Sequence, residues 1–252
     1  MPPLPSLLID LGNTNLKWAL FQSPELTPAG RLHYRGLDLP RALDMLWACL
    51  PAPAGVFVAS VGNVAIKQKI ADWVRDRWEQ ALVEVRSSKQ SCGVVNAYVD
   101  PERLGVDRWL CLIAVHRQTR VPACIVDCGS AVTIDGLDAD GQHLGGLILP
   151  GLDMMRDALL RNTQIRVAAP SRSLDLLARD TESAVAAGGV FACAGLVELV
   201  VRRIALQCDR VPEIVLTGGD GTKLQSVLDR EARYEPDLVL QGLAQLVGEM
   251  ES

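Results

Sequence analysis

The sequence predicts an α/β protein built as two copies of one lobe, and three observations carry that prediction. Apolar runs of strand length alternate with helical patterns along the 252 residues. The opening strand, from Leu7, ends in Asp10-Leu11-Gly12 and turns back into a second strand, and the same pattern returns at Cys124 to Asp135, where the strand ends in Asp127-Cys128-Gly129. The two aspartates stand 117 positions apart, a domain-length repeat and not a solenoid period. A chain of this length suits two lobes of about 120 residues each. We place them at 1–116 and 117–252, with the C-terminal helix able to cross between lobes.

The first stretch, Leu7 to Phe21, reads as strand, tight polar turn and strand. Gly12, Asn13 and Asn15 tolerate unusual turn dihedrals, so backbone N–H groups there can point at an anion; Asp10 can hold a hydrated cation and Lys17 can face a phosphate. Taken alone, the stretch is equally an ordinary hairpin with polar turn residues. Gly30 to Gly36 supplies a third strand, and Pro40 to Leu50 a helix carrying Leu43, Leu46, Trp47 and Leu50 at helical spacing. Gly55 to Val61 is an apolar strand. Val64 to Leu82 is a helix with Ile66, Ile70, Trp73, Val74 and Leu82 on one face, Val83 to Arg86 a short strand, and Pro101 to Val115 another helix.

The second copy runs from Cys124 to Asp135, with a third strand at His143 to Pro150 and a helix over Leu152 to Leu160. The segment from there to Ser173 is more polar and less periodic, as a loop near a site would be. Leu174 to Leu177 and Glu182 to Cys208 carry helical patterns. Glu213 to Thr217 is a strand running into Gly218-Gly219-Asp220-Gly221, and Leu238 to Glu249 is the last helix.

With 49% apolar and 22% charged residues the composition is that of an ordinary soluble globular chain, and a net charge of -5 provides no electrostatic footprint for nucleic acid. Small-molecule chemistry is the expectation. Met1-Pro2-Pro3-Leu4-Pro5 has no basic segment leading into a long apolar one, so no signal peptide is expected. The run Ser183 to Val201 has near-membrane length but contains Glu198, three glycines and many alanines, and reads as a buried helix and not a membrane span. Seven scattered cysteines with no CxxC pair and only three histidines read as buried free thiols in a reducing cytoplasm. Cys124 and Cys128 lie on one strand, roughly 13 Å apart at about 3.3 Å per residue, too far for a disulfide or a shared metal.

Two lobes that each open on Asp-x-Gly, with a late strand ending in Thr-Gly-Gly, resemble the acetate and sugar kinase/actin superfamily, whose members bind ATP with two ribonuclease-H-like lobes. Within it the chain resembles the type III pantothenate kinases along nearly its whole length. The matching pieces are DLGNTNLKW at Asp10 to Trp18, NAYVDPERLGVDRW at Asn96 to Trp109, VDCGSAVTID at Val126 to Asp135, GGLILPG at Gly145 to Gly151 and TGGDG at Thr217 to Gly221. Asp-x-Gly turns and Gly-Gly pairs are common singly; five such pieces in the family's order are specific.

The resemblance implies mixed sheets flanked by helices and a role for each matching residue. Asp10, Gly12, Asn13, Thr14, Asn15 and Lys17 match the first phosphate loop, with Asp10 positioning Mg²⁺ through water. Gly129 and Ser130 match the second, where serine replaces the family's usual threonine and keeps the hydroxyl donor. Asp127 matches the position that binds a monovalent cation, K⁺ or NH₄⁺; from the residues alone it is also a strand-end aspartate satisfied by turn N–H groups. Gly105, Val106, Asp107 and Arg108 match the GxDR signature, in which the aspartate takes the proton of the pantothenate hydroxyl and the arginine engages the substrate. An alcohol of high pKa needs such a carboxylate, and a guanidinium offers a forked donor, although an Asp-Arg pair at a helix start is also common on surfaces.

Tyr98 and Thr181 match substrate-contacting positions, Thr181 reading equally as a plain N-cap of the following helix. Gly218 and Gly219 match the turn that lies against adenine and ribose, with Asp220 expected to cap the next helix. The activity implied is transfer of the γ-phosphoryl group of ATP to (R)-pantothenate, the first step of coenzyme A synthesis, by a cytoplasmic homodimer. The alternative is a non-catalytic nucleotide-binding regulatory protein of the same family. It predicts loss of Asp10, Asp107 or Arg108, and all three are present.

Overall fold

The computed structural model describes residues 4–167 and 174–251. The chain forms two compact units, one made of residues 1–114 with 237–252 and the other of residues 115–236. The last helix thus groups with the first unit, whereas the sequence reading listed it under the second lobe and left it able to cross.

In the first unit, β1 (Ser6–Leu11), β2 (Asn15–Gln22), β3 (Glu25–His33), β4 (Val56–Ser60) and β5 (Leu82–Val85) form one sheet in the order β3-β2-β1-β4-β5. β1 runs antiparallel to β2 and parallel to β4, and β4 runs parallel to β5. Leu7, Leu8, Ile9 and Leu11 are buried, which is why β1 reads as a continuous apolar run and not an alternating one. Helices α1 (Leu39–Trp47) and α2 (Val64–Trp78) cover one face. Their packing centres on Trp18, Trp47, Trp73 and Trp78, with Trp47 edge-on to both Trp18 and Trp73 at centroid distances of 5.7 and 5.6 Å. The terminal helix α7 (Leu238–Met250) packs on β1 and β2. At Gly242 it meets the backbone of Leu110 so closely that a side chain there would collide with it.

The second unit repeats this plan. β8 (Ala123–Cys128), β9 (Ala131–Leu137), β10 (His143–Pro150), β11 (Glu213–Thr217) and β12 (Ala232–Tyr234) are ordered β10-β9-β8-β11-β12, with the same antiparallel and parallel pairings. The duplication read from the two Asp-x-Gly strands is therefore a duplication of topology. α4 (Leu152–Asn162) and α5 (Thr181–Cys208) follow β10, and a short α6 (Gly221–Gln225) follows β11. α5 is long and apolar enough by composition to cross a membrane. One of its faces, through Cys193, Ala194, Val197, Val201 and Ile204, shares a core with Cys124, Val126, Val132 and Ile134 of the sheet.

Several elements differ from the sequence reading. The third strand is Glu25–His33, not 30–36, because the hairpin turns at Ser23-Pro24 and the edge strand is largely exposed, leaving no apolar pattern to mark its start. α2 ends at Trp78, where Glu79 takes φ 55° and closes the helix, so Leu82 begins a strand. The expected helix from Pro101 is a 3-10 turn, Pro101–Arg103, followed by α3 (Val106–Gln118), the break coming at an extended Leu104. A two-strand ribbon, β6 (Gln90–Ser91) with β7 (Val94–Val95), precedes it. All seven cysteines are free, but only Cys111, Cys124, Cys128 and Cys193 are buried, while Cys49 is exposed. Burial pushes the Cys124 thiol up to about 12, as an inert core thiol requires. Of the segment expected as a loop near a site, residues 168–173 lie outside the described ones.

Candidate active site

In the first unit the turn joining β1 to β2 places Asp10 directly opposite Lys17 in the antiparallel ladder. The Gly12 N–H donates to Asn15 O at 3.0 Å and closes the turn. Tyr34 holds it from behind, its hydroxyl donating to Gly12 O at 2.6 Å and its N–H to Thr14 O at 3.3 Å. Gly62 packs against the same turn, where a Cβ would stand 2.8 Å from Gly12 O. Lys17 Nζ lies 3.8 Å from the carboxylate of Asp237, at the N-cap position of α7. The Asp10 carboxyl is pushed up from 3.8 to about 6, chiefly by burial; Lys17 opposes the rise, and Asp107 and Asp237 add to it. Asp10, Asp107 and Asp237 therefore share one electrostatic neighbourhood, with Lys17 facing it.

The same unit assembles the segment 96–108. Because the chain leaves the 3-10 turn extended at Leu104, α3 starts at Val106, and its first helical bond is Trp109 N–H to Gly105 O at 3.0 Å. Asp107 thus falls in the first turn, where the helix dipole favours a negative charge, and its Oδ1 accepts from the Arg108 N–H at 2.8 Å. A Cβ at Gly105 would stand 2.6 Å from that oxygen, so glycine is what leaves the carboxylate its place. Arg108 is buried, and its Nη1 donates to the Tyr98 hydroxyl at 2.9 Å while the guanidinium carbon sits 5.7 Å from the Tyr98 ring centroid. Asp107, Arg108 and Tyr98, which lie within one signature segment of the sequence, form one cluster.

In the second unit Asp127 is the penultimate residue of β8, opposite Thr133 of β9 and beside Thr217 of β11. The Gly129 N–H donates to Ala131 O at 3.0 Å, and Gly151 packs against the carbonyls of Gly129 and Ser130, leaving Ser130 exposed at the turn. Gly218 has φ +83°, and a Cβ on it would stand 2.5 Å from the carbonyl carbon and oxygen of Cys128, so only glycine fits. Its own carbonyl accepts from the Tyr234 hydroxyl at 2.9 Å, and the Asp220 N–H donates to Cys128 O at 3.0 Å. Gly218, expected at a nucleoside turn, and the cation-site candidate Asp127 are therefore neighbours.

The family of type III pantothenate kinases matches by its model over residues 6–203. The chain belongs to that family. Among family members, type III pantothenate kinase from Nitrosococcus oceani is 35% identical over 95% of this chain and 92% of that protein. The one from Paracidovorax citrulli is 36% identical over 96% and 98%. Solved structures at lower identity show the fold. A Baf family protein from Campylobacter jejuni is 22% identical with a TM-score of 0.63, covering 97% of this chain and 98% of that one. The activator of 2-hydroxyisocaproyl-CoA dehydratase from Clostridium difficile, with bound ADPNP, is 16% identical with a TM-score of 0.51, covering 99% and 98%. The actin-like, sugar-kinase architecture expected from the two lobes is thus the observed one.

For this member of the family two helix starts correct the sequence reading. Thr181 is not the N-cap of α5: Asp180 is, its carboxylate accepting from the Ser183 N–H at 2.8 Å, and Thr181 is exposed in the first turn of the second unit. Both residues are good caps, and the capping alternative offered for Thr181 falls to its neighbour. Asp220 occupies the N-cap position of α6 but makes no side-chain cap; its carboxylate takes Lys223 Nζ at 2.7 Å instead. Sequence reasoning missed Tyr34, Tyr234 and Asp237. The first two carry only the general signal of an aromatic hydroxyl near a glycine turn, and Asp237 acts across more than 200 positions with no local signal.

Proposed function

We propose that this protein transfers the γ-phosphoryl group of ATP to the primary hydroxyl of (R)-pantothenate, giving 4'-phosphopantothenate and opening coenzyme A synthesis. The observation that carries the reading, beside family membership, is the joining of Asp107, Arg108 and Tyr98 into one cluster in the unit that also holds the Asp10 turn. The pantothenate oxygen forms a bond to the γ-phosphorus as the bond to the ADP oxygen breaks, and Asp107 accepts the hydroxyl proton. Arg108, oriented by Tyr98, takes a carboxylate or amide oxygen of the substrate. In the first unit Gly12, Asn13, Thr14, Asn15 and Lys17 are the residues suited to phosphate oxygens; within the second unit, taken by itself, Gly129 and Ser130 suit phosphate and Gly218 with Gly219 suits a nucleoside.

Mg²⁺ fits the first turn on donor chemistry, since burial, and then the charges of Asp107 and Asp237, make Asp10 costly to ionise until a cation arrives. Among the described residues no group of three or more His, Cys, Asp or Glu side chains is placed to ligate a metal directly. As the family resemblance implies, Asp10 would hold the ion through water, and the ion would neutralise phosphate charge there. Asp127, with the carbonyl oxygens of the adjoining turns, suits K⁺ or NH₄⁺. A homodimer is supported by the outward face of α5, where Ala184, Gly188, Ala192 and Gly195 are exposed at helical spacing and permit close approach of a second helix. Free cysteines, four of them buried, support a cytoplasmic location.

The test is a steady-state assay of ADP release with ATP, pantothenate, Mg²⁺ and K⁺, repeated with Na⁺ and with Asp107→Asn. Pantothenate-dependent turnover that falls by about 10²-fold or more in kcat for Asp107→Asn, with ATP binding retained, is the expected result. No pantothenate-dependent ADP release removes the kinase reading, and near-normal turnover of the variant removes Asp107 from it.

A further inference from the structure

Asn96 opens the signature segment but has no role assigned by it. Its side chain is buried at 1% exposure, unusual for an asparagine, and the amide makes three hydrogen bonds. Nδ2 donates to Ser88 O at 3.1 Å and to Pro101 O at 3.2 Å, while Oδ1 accepts the Tyr98 N–H at 2.9 Å. Both donors and the acceptor oxygen are thus used, on three separate pieces of chain: the connection after β5, the 3-10 turn, and the tyrosine that holds Arg108. The Asn96 main chain is tied as well, its N–H donating to Lys89 O at 2.9 Å. A second buried staple, Ser87 Oγ to Leu104 O at 2.8 Å, closes the loop that contains them.

Packing does not do this work, because Ala97 and Val99 on either side of Tyr98 are both exposed. What fixes the Tyr98 backbone is the turn made by the Asn96 carbonyl two residues before it. Tyr98 in turn meets Arg108 at two points, hydroxyl to Nη1 and ring to guanidinium. We infer that Asn96 is a positioning residue: it sets Tyr98, and through Tyr98 the buried Arg108, in the geometry that receives the acceptor substrate. The inference rests on the reading of Tyr98 and Arg108 as substrate-contacting residues. It explains why the position is asparagine. Aspartate would turn a second oxygen toward the carbonyls of Ser88 and Pro101, and serine would keep an acceptor for Tyr98 N–H while losing both donors. A displacement of about 1 Å in a substrate clamp is enough to cost on the order of 10²-fold in rate.

The experiment measures KM for each substrate and kcat in the full-length protein for Asn96→Ala, Asn96→Ser, Tyr98→Phe and the double variant Asn96→Ala with Tyr98→Phe. Asn96→Ala is expected to raise the KM for pantothenate about tenfold or more with the KM for ATP within about twofold of wild type, and Asn96→Ser to lie between the two. The double variant is expected to be little worse than Asn96→Ala alone, since both changes release the same arginine. Parallel changes in both KM values, or effects that multiply in the double variant, mark a merely structural asparagine and overturn the inference. If Asn96→Ala does not fold, Asn96→Ser is decisive by the same criteria. An active wild type with an unaltered Asn96→Ser also overturns it, whereas a wild type with no pantothenate-dependent turnover removes the functional reading and this inference together.

Discussion

Replacing Asp10 by asparagine is expected to stabilise the ligand-free protein. The carboxyl titrates near 6 in the folded chain against 3.8 in the unfolded one, because burial and the charges of Asp107 and Asp237 outweigh Lys17. The folded state therefore disfavours the ionised form, by roughly 3 kcal/mol for a difference of this size. The residue is partly exposed, so solvent trims this to about 1–3 kcal/mol. The sign follows from linkage: below 3.8 both states are protonated and nothing is lost, the penalty grows as pH rises through the window, and it is complete above about 6. Asparagine is neutral throughout. Thermal melts of the ligand-free proteins should show Asp10→Asn higher by roughly 2–10 °C at pH 7, with the gap closing by pH 4. In the presence of Mg²⁺ and an ATP analogue the order reverses, because the wild type gains more from the ligand. An Asp10→Asn variant that melts at or below wild type at pH 7, or a gap that does not change with pH, would refute the electrostatic account of this turn.

Two further substitutions probe the two turns separately. Tyr34→Phe removes the 2.6 Å bond to Gly12 O, a loss of about 1 kcal/mol; the KM for ATP should rise about fivefold with the KM for pantothenate unchanged, and equal changes in both would remove Tyr34 from the phosphate turn. Gly218→Ala places a side chain at φ +83° and 2.5 Å from the Cys128 carbonyl, adding about 1–2 kcal/mol of backbone strain to the collision; calorimetry should show nucleotide affinity down by tenfold or more, and unchanged binding would mean the turn has no part in it.

The layout was legible where burial writes itself into sequence and obscure where it does not. β1 and β8 are central strands, apolar on both faces, and each ends on an Asp-x-Gly turn, so both could be found and aligned without a structure. β3 and β12 lie at sheet edges and β6 and β7 are two residues each; their pairing is imposed by neighbours, and no pattern of their own announces it. At the site, Asp10, Asp107 and Arg108 were expected because their segments resemble the family's signatures, and the structure brings Asp10 and Asp107 into one electrostatic neighbourhood. Asp237 was not, because its effect on Asp10 exists only once α7 has packed on β1. Asn96 stood in the signature, but nothing in the letters tells a turn asparagine from a buried one with three hydrogen bonds.

The two copies differ in the residue that faces the turn aspartate. The residue directly across the ladder from Asp10 is Lys17, whereas the residue across from Asp127 is Thr133. In the first unit the aspartate is thus opposed by a built-in cation, which offsets part of its burial penalty and is itself shared with Asp237. In the second unit a neutral hydroxyl residue stands in that place, and the aspartate lies instead against the Gly218 turn, whose geometry admits no side chain. A lysine in the second copy would supply permanently the charge that a monovalent ion can supply reversibly. Among the differences between the two strand pairs, lysine against threonine at the position facing the aspartate is the one that bears on charge, and it is a physical reason to expect a monovalent cation at Asp127 and a phosphate contact at Lys17, and not the reverse.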